Sequence, residues 1–259
     1  MTDIRTLVLD IETFPTQAYV WGLFDQNVGL NQIVEPGDVM SWAAKWAGED
    51  EVYFSGLNMA TPAEMLAGVW EMMDEADEIV GWNSNSFDLK LLNAGFAVQG
   101  WGPPSPYKKV DLMRIVKTHM RFISNKLDCI SGAFGEGSKV EHEGFPLWVA
   151  CMQGSGDAWK KMQEYNEGDV LLTESMYNRL RGWIHTGVNR SSESLKHVCP
   201  TCGGSHLQSR GTHRTTTMLY NRWHCQSCGA WSRTRLAEKQ DRSNVLVPAR
   251  YHRGDITPT

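Results

Sequence analysis

Two carboxylates stand two residues apart near the start of the chain, Asp10 and Glu12 in TLVLDIET, at the end of an apolar stretch running from Ile4 to Ile11. A strand turns alternate side chains to opposite faces, so both acids point to the same side. Buried like charges oppose each other's ionisation, and a hard divalent cation such as Mg2+ or Mn2+ relieves them most simply. Asp88, in VGWNSNSFDLKLLN, follows a short apolar strand and a polar turn that Phe87 is expected to anchor. It can join the same acidic group, or simply serve as a helix-start acid stabilised by the dipole. Tyr165 and Asp169, in YNEGDVLL, are four apart, which brings a phenol and a carboxylate onto one helical face. Gly168 between them permits close approach of backbone or substrate.

A second chemistry sits near the other end. Cys199-x2-Cys202-x22-Cys225-x2-Cys228, each pair followed by glycine, has the spacing of a four-thiolate structural zinc site. Four cysteines complete a tetrahedral set, so His197, His206, His213 and His224 are left for surface or phosphate-contact roles. The threonine- and aromatic-rich segment Thr215 to Trp223 is expected to supply the strands of a zinc ribbon too small to fold without metal. Arg210, Arg214, Arg222, Arg233 and Arg235 are interspersed with Tyr220, Trp223 and Trp231, a mixture able to meet phosphates and stack bases. A purely structural ribbon with a solvated basic face is the alternative. Cys129 and Cys151 stand alone in apolar surroundings, as core thiols do.

These residues need a scaffold, and its pattern is α/β. Strands are expected at Ile4 to Ile11, within Ala18 to Phe24, at Val39 to Trp46, Val52 to Ser55 and Ile79 to Trp82. Thr61, Pro62 and Glu64 form a capping box that opens a helix through about Asp74, with an apolar stripe of Met65, Leu66, Val69, Met72 and Met73. Further helices are expected over Ser86 to Phe96, at the end of Val110 to His119, and over Lys126 to Phe134, stopped by Gly135 and Gly137. Leu147 to Trp183 is helical by period, with breaks expected near Gly154 to Gly156 and at Gly168.

The 259 residues carry a net charge of -5, which argues against a protein coated in positive charge. The charge is unevenly placed: residues 1–189 hold 26 acidic against 14 basic side chains, and residues 190–259 hold 4 against 11. No apolar stretch approaches the roughly 20 residues needed to cross a bilayer, and no secretory pattern opens the chain. No membrane association is therefore expected, and the cytoplasm is the expected compartment, or a host's cytoplasm if the chain is phage-encoded. The expected division is 1–186 for the α/β domain, 187–238 for the ribbon, and 239–259 for a basic tail in which Lys239, Arg242, Arg250 and Arg253 extend the positive track.

DIET, then NSNSFD, then Y-x3-D, in that order, resemble the three exonuclease motifs of the DEDDy-class 3′-to-5′ exonucleases, and LD in NKLDCISGAFG resembles a further segment of the family. The resemblance spans about residues 4 to 183. It is nearest to the proofreading domains of family B DNA polymerases and to stand-alone bacterial and phage relatives. It implies a ribonuclease H-like fold, a mixed sheet flanked by helices, and hydrolysis at DNA 3′ ends with two Mg2+ or Mn2+ ions. Carried over, Asp10 would bridge both ions, Glu12 and Asp169 would complete the site of the one holding the attacking water, Asp88 would support the second, and Tyr165 would orient the water. Thr13 and Asn83 would hold the terminal nucleotide, and Phe14 would pack its base or sugar, although a plain core or rim aromatic reads equally well. The zinc ribbon departs from the family pattern and leaves strand structure open. A structure-specific endonuclease or ribonuclease of the same fold, and a DNA-binding replication or repair adaptor with a weak or silent nuclease domain, are the competing readings. Expected partners are DNA with an accessible 3′ end, RNA as an alternative, and a replication or repair protein.

Overall fold

The computed structural model describes residues 4–139, 141, 143–192, 197–238 and 246. The chain divides into two compact units, Met1–Asn189 and Arg190–Thr259. The expected tail, including Lys239, Arg242, Arg250 and Arg253, lies outside the described residues but for Leu246.

The first unit is built on β1 (Thr6–Thr13), followed by the short β2 (Gln17–Ala18) and β3 (Ile33–Glu35), then β4 (Val39–Trp46), β5 (Val52–Gly56), α1 (Pro62–Glu75), β6 (Glu78–Gly81), α2 (Asp88–Val98), β7 (Lys108–Asp111), α3 (Leu112–His119), α4 (Leu127–Phe134), α5 (Phe145–Met152) and α6 (Gly156–Leu180). Five strands form a mixed sheet in the order β5-β4-β1-β6-β7. β1 pairs antiparallel with β4 and parallel with β6, which makes it central. Both its faces are covered, as its near-continuous apolar sequence demands. Leu7, Leu9 and Ile11 pack with residues of α1 and α2, whereas Val8 packs with Val80, Val110 and residues of α3, α4 and α6. The even-numbered side of β1, which bears Asp10 and Glu12, therefore looks toward α6.

Local signals account for several helix ends. Thr61 Oγ1 accepts the Glu64 N–H at 3.3 Å while the Glu64 carboxylate accepts the Thr61 N–H at 2.9 Å, the reciprocal pair expected of the capping box. Met65, Leu66, Val69 and Met73 form its buried stripe. α4 ends at Gly135, whose φ of 73° is the left-handed cap that glycine supplies most readily. The break expected near Gly154 to Gly156 separates α5 from α6, but Gly168 causes none: α6 runs unbroken for 25 residues. An interior glycine costs a helix only about 1 kcal/mol, and burial of Tyr165, Asn166, Asp169 and Val170 around it outweighs that.

The segment Ala18 to Phe24 departs most from expectation. Only Gln17–Ala18 pairs, with Glu35 and Ile33, and Trp21 beyond it is fully exposed, with Leu23 and Phe24 little less so. Beyond Tyr19, whose N–H still donates to Gln32 O at 2.9 Å, no strand among the described residues lies alongside to satisfy the β propensity. Cys151 is buried as a core thiol, but Cys129 is partly exposed on α4.

The second unit is a three-stranded antiparallel sheet of β8 (Leu207–Arg214), β9 (Leu219–Cys225) and β10 (Trp231–Arg233), in the order β10-β9-β8. Thr215 to Met218 forms the turn between β8 and β9 rather than strand, with the Thr215 N–H donating to Met218 O at 2.9 Å. Cys199 and Cys225 are fully buried, with Ala230 beside them, and Leu207 packs against this small core.

Candidate active site

Ligand oxygens of Asp10, Glu12 and Asp169 all lie within 4.8 Å of one another. The two from β1 arrive by strand alternation, and the third comes from α6, which crosses that face. Asn166, one turn before Asp169 and fully buried, locks the junction: its amide donates to Asp10 Oδ2 at 2.8 Å, and its carbonyl accepts from Ser41 Oγ on β4 at 3.1 Å. One oxygen of Asp10 is thereby fixed.

Asp88 begins α2 beside this cluster, and its Oδ1 accepts the Ile11 N–H at 3.2 Å. The turn before it is held from β7. Asp111 accepts the N–H groups of Asn83 and Asn85 at 3.2 and 3.3 Å, and also caps α3 through Arg114 N. Asn83 takes a φ of 65°, a left-handed conformation that asparagine tolerates better than most side chains. Gly81 just ahead is required by space, since a Cβ there would sit 2.6 Å from Ser84 Cβ and 3.1 Å from Leu9 O.

Tyr165 and Asp169 lie together on α6, as their spacing predicts, and Lys139 joins them. Its ammonium donates to the Tyr165 hydroxyl at 3.0 Å and forms an ion pair with Asp169. Trp148 on α5 meets the Tyr165 ring edge-on at 5.9 Å and hydrogen-bonds Glu12.

The electrostatics are those of acids gathered out of water. Burial, then the charges of Asp88, Asp169 and Glu12, hold Asp10 well above the usual carboxylate range. Burial and the Asp169 charge push Glu12 up to about 8, and burial raises Asp88 to about 7 despite two backbone N–H bonds. Burial works against the Lys139 ammonium, but Asp169 more than compensates and holds it above its ordinary range. Tyr165 is pushed up to about 12 by burial and by Asp169, so its hydroxyl stays protonated near neutrality. Such a donor set fits hard divalent ions, whose charge would remove the repulsion that raises these groups.

An open cleft of about 670 Å3 receives these side chains. Asp10, Glu12, Thr13, Asn83, Asp88, Tyr165 and Asp169 all line it. Phe14 does not; it packs edge-on against Trp159, 6.3 Å between ring centres. Phe87 is 43% exposed and lines the cleft instead of anchoring its turn from within. Lys139 and Asn166 were not singled out from sequence. Asn166 carried a usable signal, because three residues before Asp169 on a helix is the same face. Lys139 carried none, lying in the glycine- and glutamate-rich stretch after α4.

In the second unit the four cysteine sulfurs converge within 4.8 Å. Cys199 and Cys228, and likewise Cys202 and Cys225, are 3.7 Å apart, close to the ~3.8 Å edge of a tetrahedron with ~2.3 Å zinc–sulfur bonds. Gly203 and Gly229 take φ of 75° and 76°, which explains the glycine after each pair. Burial opposes the Cys225 thiolate, yet the N–H groups of Cys228 and Ser227 hold this thiol down at about 7. The set suits one structural zinc. None of the four neighbouring histidines belongs to the cluster, and His197, His206 and His213 are exposed. Arg210, Arg214, Arg233, Arg235 and Trp231 are also exposed, whereas Arg222 and Trp223 are partly buried.

Comparison with known proteins places the fold. The sequence profile of the RNase H superfamily matches residues 43–181, more than half the chain. The chain belongs to the RNase H superfamily; the matched region contains Asp88, Tyr165 and Asp169, while Asp10 and Glu12 lie before it. A solved structure of the family B DNA polymerase from the hyperthermophilic archaeon Pyrobaculum calidifontis is similar at a TM-score of 0.50 and 20% identity, covering 69% of this chain and 25% of that one. The likeness is one of fold, and the chain spans a quarter of the polymerase's length. No curated protein matches the chain. An RNase H-like fold, an acidic triad and a four-cysteine cluster together are consistent with a metal-dependent nuclease. Among the described residues, no helix is long and apolar enough to cross a membrane.

Proposed function

From membership of the RNase H superfamily we propose that this chain is a metal-dependent 3′-to-5′ exonuclease acting on DNA, with a zinc-stapled module that recruits nucleic acid. The observation that carries the reading is the convergence of Asp10, Glu12 and Asp169 beside Tyr165 in an open cleft. Asp10, Glu12, Asp88 and Asp169 would hold two divalent ions, which supply activation of water on one side of a phosphorus and neutralisation of the leaving oxygen on the other. The protein's own residues do the rest. Asn166 fixes Asp10 so that its carboxylate does not swing away from its neighbours. Tyr165, protonated near neutrality, orients water by hydrogen bonding and does not serve as the base. Lys139 offers positive charge at the edge of the acidic group, where a negatively charged phosphate must approach. Thr13 and Asn83 line the cleft wall, which supports their meeting the terminal nucleotide in this reading.

Labelled linear and circular DNA, incubated with the full chain with and without Mg2+ or Mn2+, test the reading. Divalent-dependent release of mononucleotides from 3′ ends is the expected result. Cleavage of the circle would assign an endonuclease, preference for RNA a ribonuclease, and DNA binding without hydrolysis an adaptor; each would overturn the proposal.

A further inference from the structure

The register of the second sheet sorts its aromatic and basic residues onto two faces. Directly paired residues of antiparallel strands share a face, and alternate residues on one strand share it too. Trp231 pairs with His224, Arg233 with Arg222, and His213 with Tyr220. One face therefore carries Tyr220, Arg222 and His224 from β9, flanked by Trp231 and Arg233. The opposite face carries Trp223, stacked on His197 at 5.5 Å, and Cys225 of the metal cluster. Arg214 pairs with Leu219 and belongs to that opposite face as well.

On the first face the planar groups stack against one another. The Arg233 guanidinium lies 3.9 Å over the Tyr220 ring, and that of Arg222 lies 5.0 Å over Trp231. His224 adjoins Trp231 at 4.5 Å between ring centres. Arg222 is held in its plane by two hydrogen bonds to Arg210 O, at 3.0 and 2.9 Å. Trp231 remains 49% exposed. The arginines are thus presented as flat cationic surfaces interleaved with rings, in a unit whose residues 190–259 carry 11 basic against 4 acidic side chains.

We infer that this face of the ribbon is a stacking site for single-stranded DNA and discriminates against duplex. The inference rests on the exonuclease reading for its choice of DNA. Tyr220 and Arg222 are two residues apart on β9, so the Tyr220–Arg233 and Arg222–Trp231 pairs repeat at roughly 7 Å along the strand. That is about twice the 3.4 Å base rise of a duplex strand. Bases can occupy both platforms only when they are splayed from one another, which a single strand permits and a duplex does not. Phosphates between them meet the arginine charge, while the rings meet base faces.

The test measures binding of a labelled oligothymidylate of about fifteen nucleotides, and of a duplex of equal length, to the zinc-loaded full chain. Asp10→Asn serves as background so that the strand stays intact, and zinc content and circular dichroism verify folding of each variant. Single strand should bind about tenfold or more tighter than duplex. Trp231→Ala with Tyr220→Ala should lose about tenfold or more for single strand, while Trp231→Phe, which keeps a ring, should stay within about threefold. Arg222→Lys with Arg233→Lys, which keeps the charge and removes the planes, should also weaken single-strand binding. Equal affinity for duplex, wild-type binding by the lysine variant, or tighter binding of oligouridylate than of oligothymidylate would each overturn the inference. Nucleotide release by the parent chain is followed in parallel. Its absence with the binding pattern intact sinks the exonuclease reading alone, and the reverse outcome sinks this one alone.

Discussion

At the scale of single residues, the acidic group is held in place by neighbours that do not themselves resemble catalysts. Asn166 fixes one oxygen of Asp10, Asp111 pins the turn that delivers Asp88, and Lys139 bridges Tyr165 to Asp169. The proposed roles separate in kinetics. Asp169→Asn removes a ligand while preserving shape, so divalent-dependent nucleotide release should fall by about a hundredfold or more with the circular dichroism spectrum unchanged. Tyr165→Phe removes the hydroxyl proposed to position water, and no metal charge with it. Its turnover should fall about tenfold to a hundredfold while KM stays within about threefold, as steady-state titrations would show. Residues of this kind differ in how visible they are in a sequence. Asp10, Glu12, Asp88, Tyr165 and Asp169 stand in short motifs whose spacing already implies a shared face, and the structure does gather them in one cleft. Lys139 reaches the site only because the chain after α4 folds back over α6, and no local pattern encodes that.

At the scale of elements, legibility follows how local the cause is. The N-terminus of α1 is set within four residues by Thr61 and Glu64, and Thr61→Ala should cost about 1 kcal/mol in denaturant unfolding of the first unit while leaving nucleotide release untouched. β4 and β5 fall where their β-branched and aromatic runs place them, because each found a partner in the sheet. Val20 to Phe24 has equal strand propensity but, among the described residues, no strand beside it, so it stays out. Gly168 fails as a breaker for the converse reason: a modest local penalty is overridden by packing along a long buried helix. The turn at Thr215 to Met218 was obscured because threonine runs favour strands, whereas a hairpin needs its chain reversal somewhere inside the 22 residues between the cysteine pairs.

At the scale of the whole molecule, two units face opposite electrostatic problems. The first gathers acids whose pKa values are raised in the fold. Metal-free, these acids hold more protons folded than unfolded, so the stability they contribute is fully present below the ordinary carboxylate range and is lost as pH rises through the folded values of about 7 for Asp88 and about 8 for Glu12. Melting temperatures of the metal-free protein should therefore decline between about pH 5 and 8, and added Mg2+ should restore most at the alkaline end. Calorimetry should register proton release on Mg2+ binding at pH 7. The first unit is also closed by contacts between distant parts of the chain: Asn166 reaches Asp10 across 156 residues, and Glu78 accepts the Val188 N–H across 110. Such separations make folding slow, and they order events during synthesis. A growing chain displays Asp10 and Glu12 before their partners on α6, which are translated more than 150 residues later. Until that helix emerges and docks, the nascent polypeptide has no third carboxylate to complete the triad, so the acidic cluster comes into being only as the first unit is finished.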